Sequence, residues 1–187
     1  MRAALLSLML LGSTVFANEY LLEGKISYYY PTDHTTREIM GGGALYGLEA
    51  SFQAYRWLYP WISLSIFPKK GHSIDEHNKT DIYFIPVGIG LKAIATWSGT
   101  YRPYAGIGIL PTYLHTHDHS TVVYSRHKWG IGGLFKAGCL IELNSIFLDL
   151  FADYTLLSID FSNTDRTIGR KAVLDGFSAG GSIGYRF

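Results

Sequence analysis

The sequence predicts an all-β chain, an eight-stranded antiparallel transmembrane β-barrel. Three observations carry this reading. Large apolar residues alternate with small or charged ones along most of the chain, and a two-residue period belongs to strands. The connections between these segments alternate between long and tight. Tryptophan and tyrosine, rings with one polar end, gather at the segment ends. Composition agrees: of 187 residues, 21 are glycine and 14 tyrosine, while only 17% are charged, a mixture that suits a glycine- and aromatic-rich β-protein. No stretch shows helical periodicity, and no linker, low-complexity segment or strict repeat is found.

The first residues are read apart from the fold. Arg2, the apolar run Ala3–Leu11 and then Val15-Phe16-Ala17 have the layout of a secretory signal, with cleavage expected after Ala17. The run is shorter than the ~20 apolar residues of a spanning helix. Residues 1–17 are therefore expected to be a signal peptide and 18–187 one barrel domain. A net charge of +1 makes no electrostatic case for nucleic acid as a partner. The single cysteine, Cys139, excludes an intramolecular disulfide.

Strands are expected near Tyr20–Tyr30, Ala44–Trp57, Trp61–Phe67, Ile82–Trp97, Tyr101–His115, Lys128–Glu142, Ile146–Leu157 and Leu174–Phe187. Most reach the ~10 residues that cross a bilayer obliquely. Long polar connections follow the odd strands: Thr32–Met40, Pro68–Thr80, Thr116–His127 and Ser158–Val173. Tight ones follow the even strands: Leu58-Tyr59-Pro60, Ser98-Gly99-Thr100 and Leu143-Asn144-Ser145. An even strand count puts the termini and every tight turn at one end, the arrangement of barrels with short periplasmic turns and long outer loops.

Alternation by itself also fits a soluble barrel, so the character of each face decides. In the second strand Tyr46, Leu48, Ala50, Phe52 and Ala54 oppose Gly47, Glu49, Ser51, Gln53 and Tyr55. In the fourth, Tyr83, Ile85, Val87, Ile89, Leu91, Ala93, Ala95 and Trp97 oppose Phe84, Pro86, Gly88, Gly90, Lys92 and Ile94. In the fifth, Ala105, Ile107 and Ile109 oppose Arg102, Tyr104, Gly106 and Gly108. One set is continuous and nearly free of charge, as a lipid-facing surface must be, since charge near the midplane costs several kcal/mol. The other is rich in glycine and serine with isolated charges, which suits a crowded interior. On this assignment Lys25, Lys92, Arg102, Lys136 and Arg186 share the lumen with Glu23, Glu49, Glu142, Asp149 and Asp153. Buried charges must be paired, so a balanced set implies a lumen closed by ion pairs. Trp57, Trp61, Trp97 and Trp129 fall at expected strand ends, as do Tyr28, Tyr30, Tyr46, Tyr83, Tyr101, Tyr154 and Tyr185, the pattern of two interfacial girdles.

The final strand, Phe177, Ala179, Gly181, Ile183, Tyr185 and Phe187 on its apolar face, resembles the assembly signal of bacterial outer-membrane proteins. That likeness implies that Tyr185 and Phe187 are read by the barrel-inserting machinery. Arg102-Pro103-Tyr104-Ala105-Gly106-Ile107-Gly108 is similar to the recurrent PYxGxG strand of the small OmpA/OmpX/OmpW-type and opacity-like barrels. The resemblance spans the mature chain through short, degenerate motifs. It implies localisation in the bacterial outer membrane, contact with lipid and lipopolysaccharide, and outer loops that meet host or surface ligands. Within such families the roles differ. A structural or surface-exposed role is expected, with a narrow pore or small hydrophobic-solute conduit as the alternative.

Candidate chemistry is sparse. His115, His117 and His119 share a face if their strand continues outward, with His127 returning nearby, and imidazoles at that spacing suit zinc or copper. Ligand type without supporting structure is weak evidence, so no metal is assigned. Lipid A deacylases and palmitoyltransferases resemble this scaffold and use Ser/His chemistry. His72-Ser73 and His119-Ser120, near Asp75, Glu76 and Asp118, are the adjacent pairs here. The His-x-Ser motif is absent from the late strands, so no catalytic residue, enzyme activity or cofactor is expected. Gly88/Gly90 and Gly106/Gly108 lie inside strands, where lumen packing explains them better than phosphate binding. Arg166, Arg170 and Lys171 make the last long connection basic, with lipopolysaccharide phosphates a candidate partner. Cys139 falls on the apolar face.

Overall fold

The computed structural model describes residues 19–72, 79–96, 99–118, 125–160 and 171–187. For 35, 39–40, 69–72, 79–83, 114–118, 125–128, 159–160 and 171–172 it describes the backbone alone. The expected signal peptide lies outside these residues.

Eight strands close into an antiparallel barrel: β1 (Tyr20–Pro31), β2 (Gly43–Phe52), β3 (Leu58–His72), β4 (Lys79–Ile94), β5 (Tyr101–Asp118), β6 (Ser125–Leu143), β7 (Ile146–Leu156) and β10 (Gly176–Arg186). Neighbours in sequence pair throughout, and β10 closes on β1 from Leu21↔Arg186 to Pro31↔Gly176. Closure leaves no open edge, which is what a strand protein needs in lipid. A small hairpin, β8 (Ser158–Asp160) with β9 (Lys171–Val173), stands in the last long connection. Both ends of the described chain and all the tight turns lie at one end, called here the near end. The β6–β7 turn is Asn144-Ser145, with Asn144 at φ 62°, a conformation asparagine tolerates in two-residue hairpins.

Outside and inside follow the alternation. Ile131 is 76% exposed, Ile107 62% and Leu48 61%. Among the described outward-facing side chains of the barrel strands none is charged. A belt of bare isoleucine and leucine has no place in water and fits hydrocarbon. The inward set is buried or half-buried.

Four sequence expectations are corrected. Leu58-Tyr59-Pro60 begins β3, and the turn is formed by residues 53–57, closed by a Tyr55↔Leu58 bridge. Pro60 misled the reading, but it stands just past the end of the β2–β3 ladder at Ser51↔Trp61, near the start of its strand, where proline is tolerated. The described parts of Pro68–Thr80 and Thr116–His127 are strand, because β3 runs to His72, β4 starts at Lys79, β5 reaches Asp118 and β6 starts at Ser125. A backbone ladder needs no apolar side chains once it has left the membrane. At 15 to 19 residues, β3, β4, β5 and β6 therefore form a tall wall beyond the other four strands. Thr32–Met40 holds a short helix, α1 (His34–Met40), that was not expected. Asp33 caps it by accepting from the Thr36 N–H at 2.8 Å, and Gly41 ends it at φ 61°. Seven residues are too few to show a period. The fourth correction concerns tryptophan. Trp57 and Trp129 are exposed as a girdle requires, but Trp61 is 3% exposed and lies inside the barrel; Trp97 lies outside the described residues.

Candidate functional site

The candidate site is the lumen, and it is filled in layers. At the near rim Arg102 gathers four groups. Its guanidinium donates to Glu142 Oε1 at 2.5 Å, Glu19 Oε1 at 3.2 Å, the Tyr59 hydroxyl at 3.0 Å and the Ala95 carbonyl at 3.4 Å. Arg186 reaches the same Glu142 oxygen at 3.0 Å and the Asn144 carbonyl. Behind this rim Leu21, Tyr59, Ile94, Tyr104, Leu140, Phe147 and Phe151 form one apolar cluster.

The charged layer follows. Lys92 on β4 donates to Glu23 on β1 at 3.3 Å and to Glu49 on β2 at 3.1 Å. Glu49 also accepts from Lys25 at 3.1 Å and from Lys136. Lys25 lies 3.8 Å from Asp153. Glu49 thus holds three ammonium groups, which is why a carboxylate can be buried here at all. Ser182 donates to Glu23 at 2.5 Å, and Tyr104 donates to Asp149 at 2.8 Å. Aromatic faces finish the layer: Lys25 sits 3.9 Å over Phe151 and Lys136 4.3 Å over Trp61.

The ten lumen charges singled out from the sequence therefore separate into two groups, with Asp149 apart from both. Glu23, Lys25, Glu49, Lys92, Lys136 and Asp153 meet at mid-height. Arg102 and Arg186 belong to the rim with Glu142, and Arg186 is only partly buried. Asp149 has no lysine or arginine within salt-bridge distance among the described residues and is held by Tyr104. Glu19, Tyr59 and Ser182 were not singled out, and Tyr104 was placed on the inner face without a role. Glu19 precedes the expected first strand and Tyr59 lay in an expected turn, whereas Ser182 had the inward parity but no charge to mark it.

The glycine pairs serve Trp61. A Cβ on Gly108 would stand 2.6 Å from the Trp61 ring, on Gly88 2.6 Å and on Gly90 2.7 Å. Three glycines on β4 and β5 thus clear the space an indole occupies across the lumen, with Leu110 and Leu134 packed beside it. Gly138 does the same for Tyr104, whose ring would lie 2.7 Å from an added Cβ.

Above Trp61 is a cavity of ≈ 50 Å³, lined by Ser27, Ser63, Ser65 and Ser178 together with Lys25, Lys136 and Asp153. The far end is closed over it by Tyr29, Phe67, Phe84, Leu157 and Leu174. The Tyr29 hydroxyl donates to the Leu174 carbonyl at 2.7 Å, and Asp175 accepts from the Leu157 N–H at 2.7 Å. Helix α1 is tied to the same place by Thr36, whose hydroxyl donates to the Val173 carbonyl at 2.6 Å. Two chain connections are thereby fastened across the mouth.

The candidate chemical residues do not enter this site. Ser73, Asp75, Glu76, His119, Ser120, Arg166 and Arg170 lie outside the described residues. His72, His115, His117, Asp118, His127 and Lys171 are strand residues with backbone alone described. Cys139 is on the outer face and half-buried. Among the described side chains no cluster of histidine, cysteine and acidic groups is arranged to hold a metal.

With this geometry in view, the chain can be set beside solved structures. It superposes on Neisserial surface protein A with a TM-score of 0.62 at 11% identity, covering 90% of this chain and 97% of the other. The outer membrane protein W of E. coli gives 0.54 at 20% identity, with 91% and 98% covered. Ail of Yersinia pestis, solved with the heparin analogue sucrose octasulfate, gives 0.57 at 13%, with 90% and 98% covered. The fold is that of the small eight-stranded outer-membrane barrels. No protein-family model matches the sequence, and no curated protein does. The likeness is one of fold, carried by strand number, closure and face alternation, and this barrel's lumen layers must be read from its own residues.

Proposed function

We propose that this chain is an integral protein of a bacterial outer membrane, exported by its N-terminal signal, with a structural or surface-exposed role and a closed lumen. The near end, with its tight turns, faces the periplasm, and the tall β3–β6 wall stands at the cell surface. There it meets lipopolysaccharide, host or other ligands. The observation that carries the reading is the closure of the lumen at three levels, the Arg102 rim, the lysine–glutamate layer and the Tyr29 lid, with a cavity of only ≈ 50 Å³ beneath the lid. A solute path would have to break several buried ion pairs, each costly to open. No catalysis is assigned. Tyr185 and Phe187 are taken as the segment recognised by the insertion machinery; their exposed rings, 4.8 Å apart edge to face, support this.

Single-channel recording in planar bilayers tests the proposal. The wild-type barrel is expected to give no steady conductance, and a stable ohmic step would replace the closed-barrel reading with a pore. One observation favours the second reading, a conduit for small hydrophobic solutes. The β2–β3 ladder spans only Tyr46–Ser51 although β3 continues to His72, and Leu45 beside its end lines the cavity. A side opening there is tested by locking positions 45 and 67 together with a disulfide and measuring uptake of an apolar probe into vesicles.

A further inference from the structure

Strand register in the tall wall gathers histidines that the sequence keeps apart. On β5, His115 is the direct partner of Tyr83 on β4 and of His127 on β6. His117 is the partner of Asp81 and of Ser125. Direct cross-strand partners share a face, and residues two apart on a strand share it too. His115, His117 and His127 therefore occupy one face of one paired ribbon.

Parity shows which face. Tyr113 and Trp129, the next pair toward the membrane, belong to the same set; their rings are 5.2 Å apart and Trp129 is 69% exposed. Lumen residues such as Thr112 have the opposite parity and are buried. The histidine row thus stands one pair beyond the aromatic girdle, roughly 7 Å further along the strands. Those backbone positions lie beyond the girdle, outside the hydrocarbon.

We propose that His115, His117 and His127 form a site for a divalent transition metal, with Zn²⁺ the representative ion. Cross-strand partners lie about 5 Å apart and diagonal ones about 7–8 Å, spans that imidazoles of this length bridge when each reaches toward a common ion at about 2.0–2.1 Å. Neutral imidazole nitrogens suit zinc, copper or nickel and not calcium or magnesium. Three nitrogens on a hydrogen-bonded ladder leave a fourth position for water. Asp81 is the register partner of His117 and, on its other side, of Lys70. The proposed ligand set is the three histidines. The site differs from the sequence reading of His115, His117 and His119 with His127 nearby, because register makes His127 the direct partner of His115 and the third ligand in place of His119.

The test is calorimetric titration of Zn²⁺ into the refolded, tag-free, chelator-treated barrel in detergent at neutral pH, with heat-modifiability on gels confirming the fold of every variant. The wild type is expected to bind one Zn²⁺ saturably, and Co²⁺ in its place is expected to show four-coordinate absorption bands. His127→Ala and His115→Ala are each expected to weaken binding by about tenfold or more, since even outer partners of metal ligands bring losses of that size. His34→Ala, on α1, is expected to leave it unchanged. Absence of saturable binding overturns the proposal, and so does full affinity in folded His127→Ala, which would return the metal to the local sequence cluster.

Discussion

Lys92 and Glu49 meet across the barrel: the ammonium lies 3.1 Å from Oε1, although 43 residues separate them in the chain. The pair is unequal in its surroundings. Glu49 is also held by Lys25 and Lys136, whereas Lys92 is the one ammonium within bonding distance of Glu23 among the described residues.

That asymmetry orders two substitutions. Lys92→Met leaves Glu23 with only the Ser182 hydroxyl and is expected to cost about 3–5 kcal/mol, the range for breaking a buried pair. Glu49→Gln removes the carboxylate that three lysines share and is expected to cost more: Lys92 keeps Glu23 and Lys25 keeps Asp153, but Lys136 is left with no carboxylate within salt-bridge distance among the described residues. Urea unfolding in detergent measures both. If Lys92→Met and Glu23→Gln are combined, part of the loss should return, because no unpaired carboxylate then remains. Equal losses for the two single variants would show that water reaches this layer.

The indole clearance gives a second prediction. Gly108→Val places carbon within 2.6 Å of the Trp61 ring and 2.7 Å of the Ile89 carbonyl. It should destabilise by about 1–3 kcal/mol through overpacking, or abolish assembly. Gly133 faces outward with nothing within 4 Å of an added Cβ, so Gly133→Val should assemble at wild-type levels. The fraction of heat-modifiable barrel reports both.

The far-end lid gives a third. Tyr29→Ala removes a ring packed on Phe67 and Phe84 and a hydroxyl bonded to Leu174. A loss of about 3–5 kcal/mol is expected, the usual range for deleting a buried aromatic ring. Conductance should stay at the wild-type level, because Trp61 and the lysine–glutamate layer still close the barrel below. A channel opened by this single substitution would mean that the lid alone is the plug.

Topology gives the fourth. Protease added to intact cells should cut at residues 73–78 or 119–124, which join the tall strands, and should spare the Asn144-Ser145 turn until the outer membrane is broken. The reverse pattern would invert the barrel.

Much of this molecule is legible in sequence because strand structure is a local property with a short period. Eight strands and their outward and inward faces follow from reading every second residue, as β2 illustrates with Leu48 outside and Glu49 inside. The reading weakened wherever membrane and water exchange roles. Beyond the girdle both faces of a strand can be polar, so the outer parts of β3 to β6 looked like loops, and α1 was too short to display a turn-by-turn pattern.

What only the tertiary structure decided is partnership. Parity puts Lys25, Lys92 and Lys136 inside, but only strand stagger and closure determine their heights, and hence that all three converge on Glu49 while Arg102 and Arg186 stay at the rim. Trp61 was the sharpest case. Trp61 has the parity of Ser63 and Ser65, so its face could be read along β3, but the room that an indole needs inside is cleared by Gly88, Gly90 and Gly108 on two other strands. Face is determined along one strand; depth and contact are determined by register between strands, which no single segment contains.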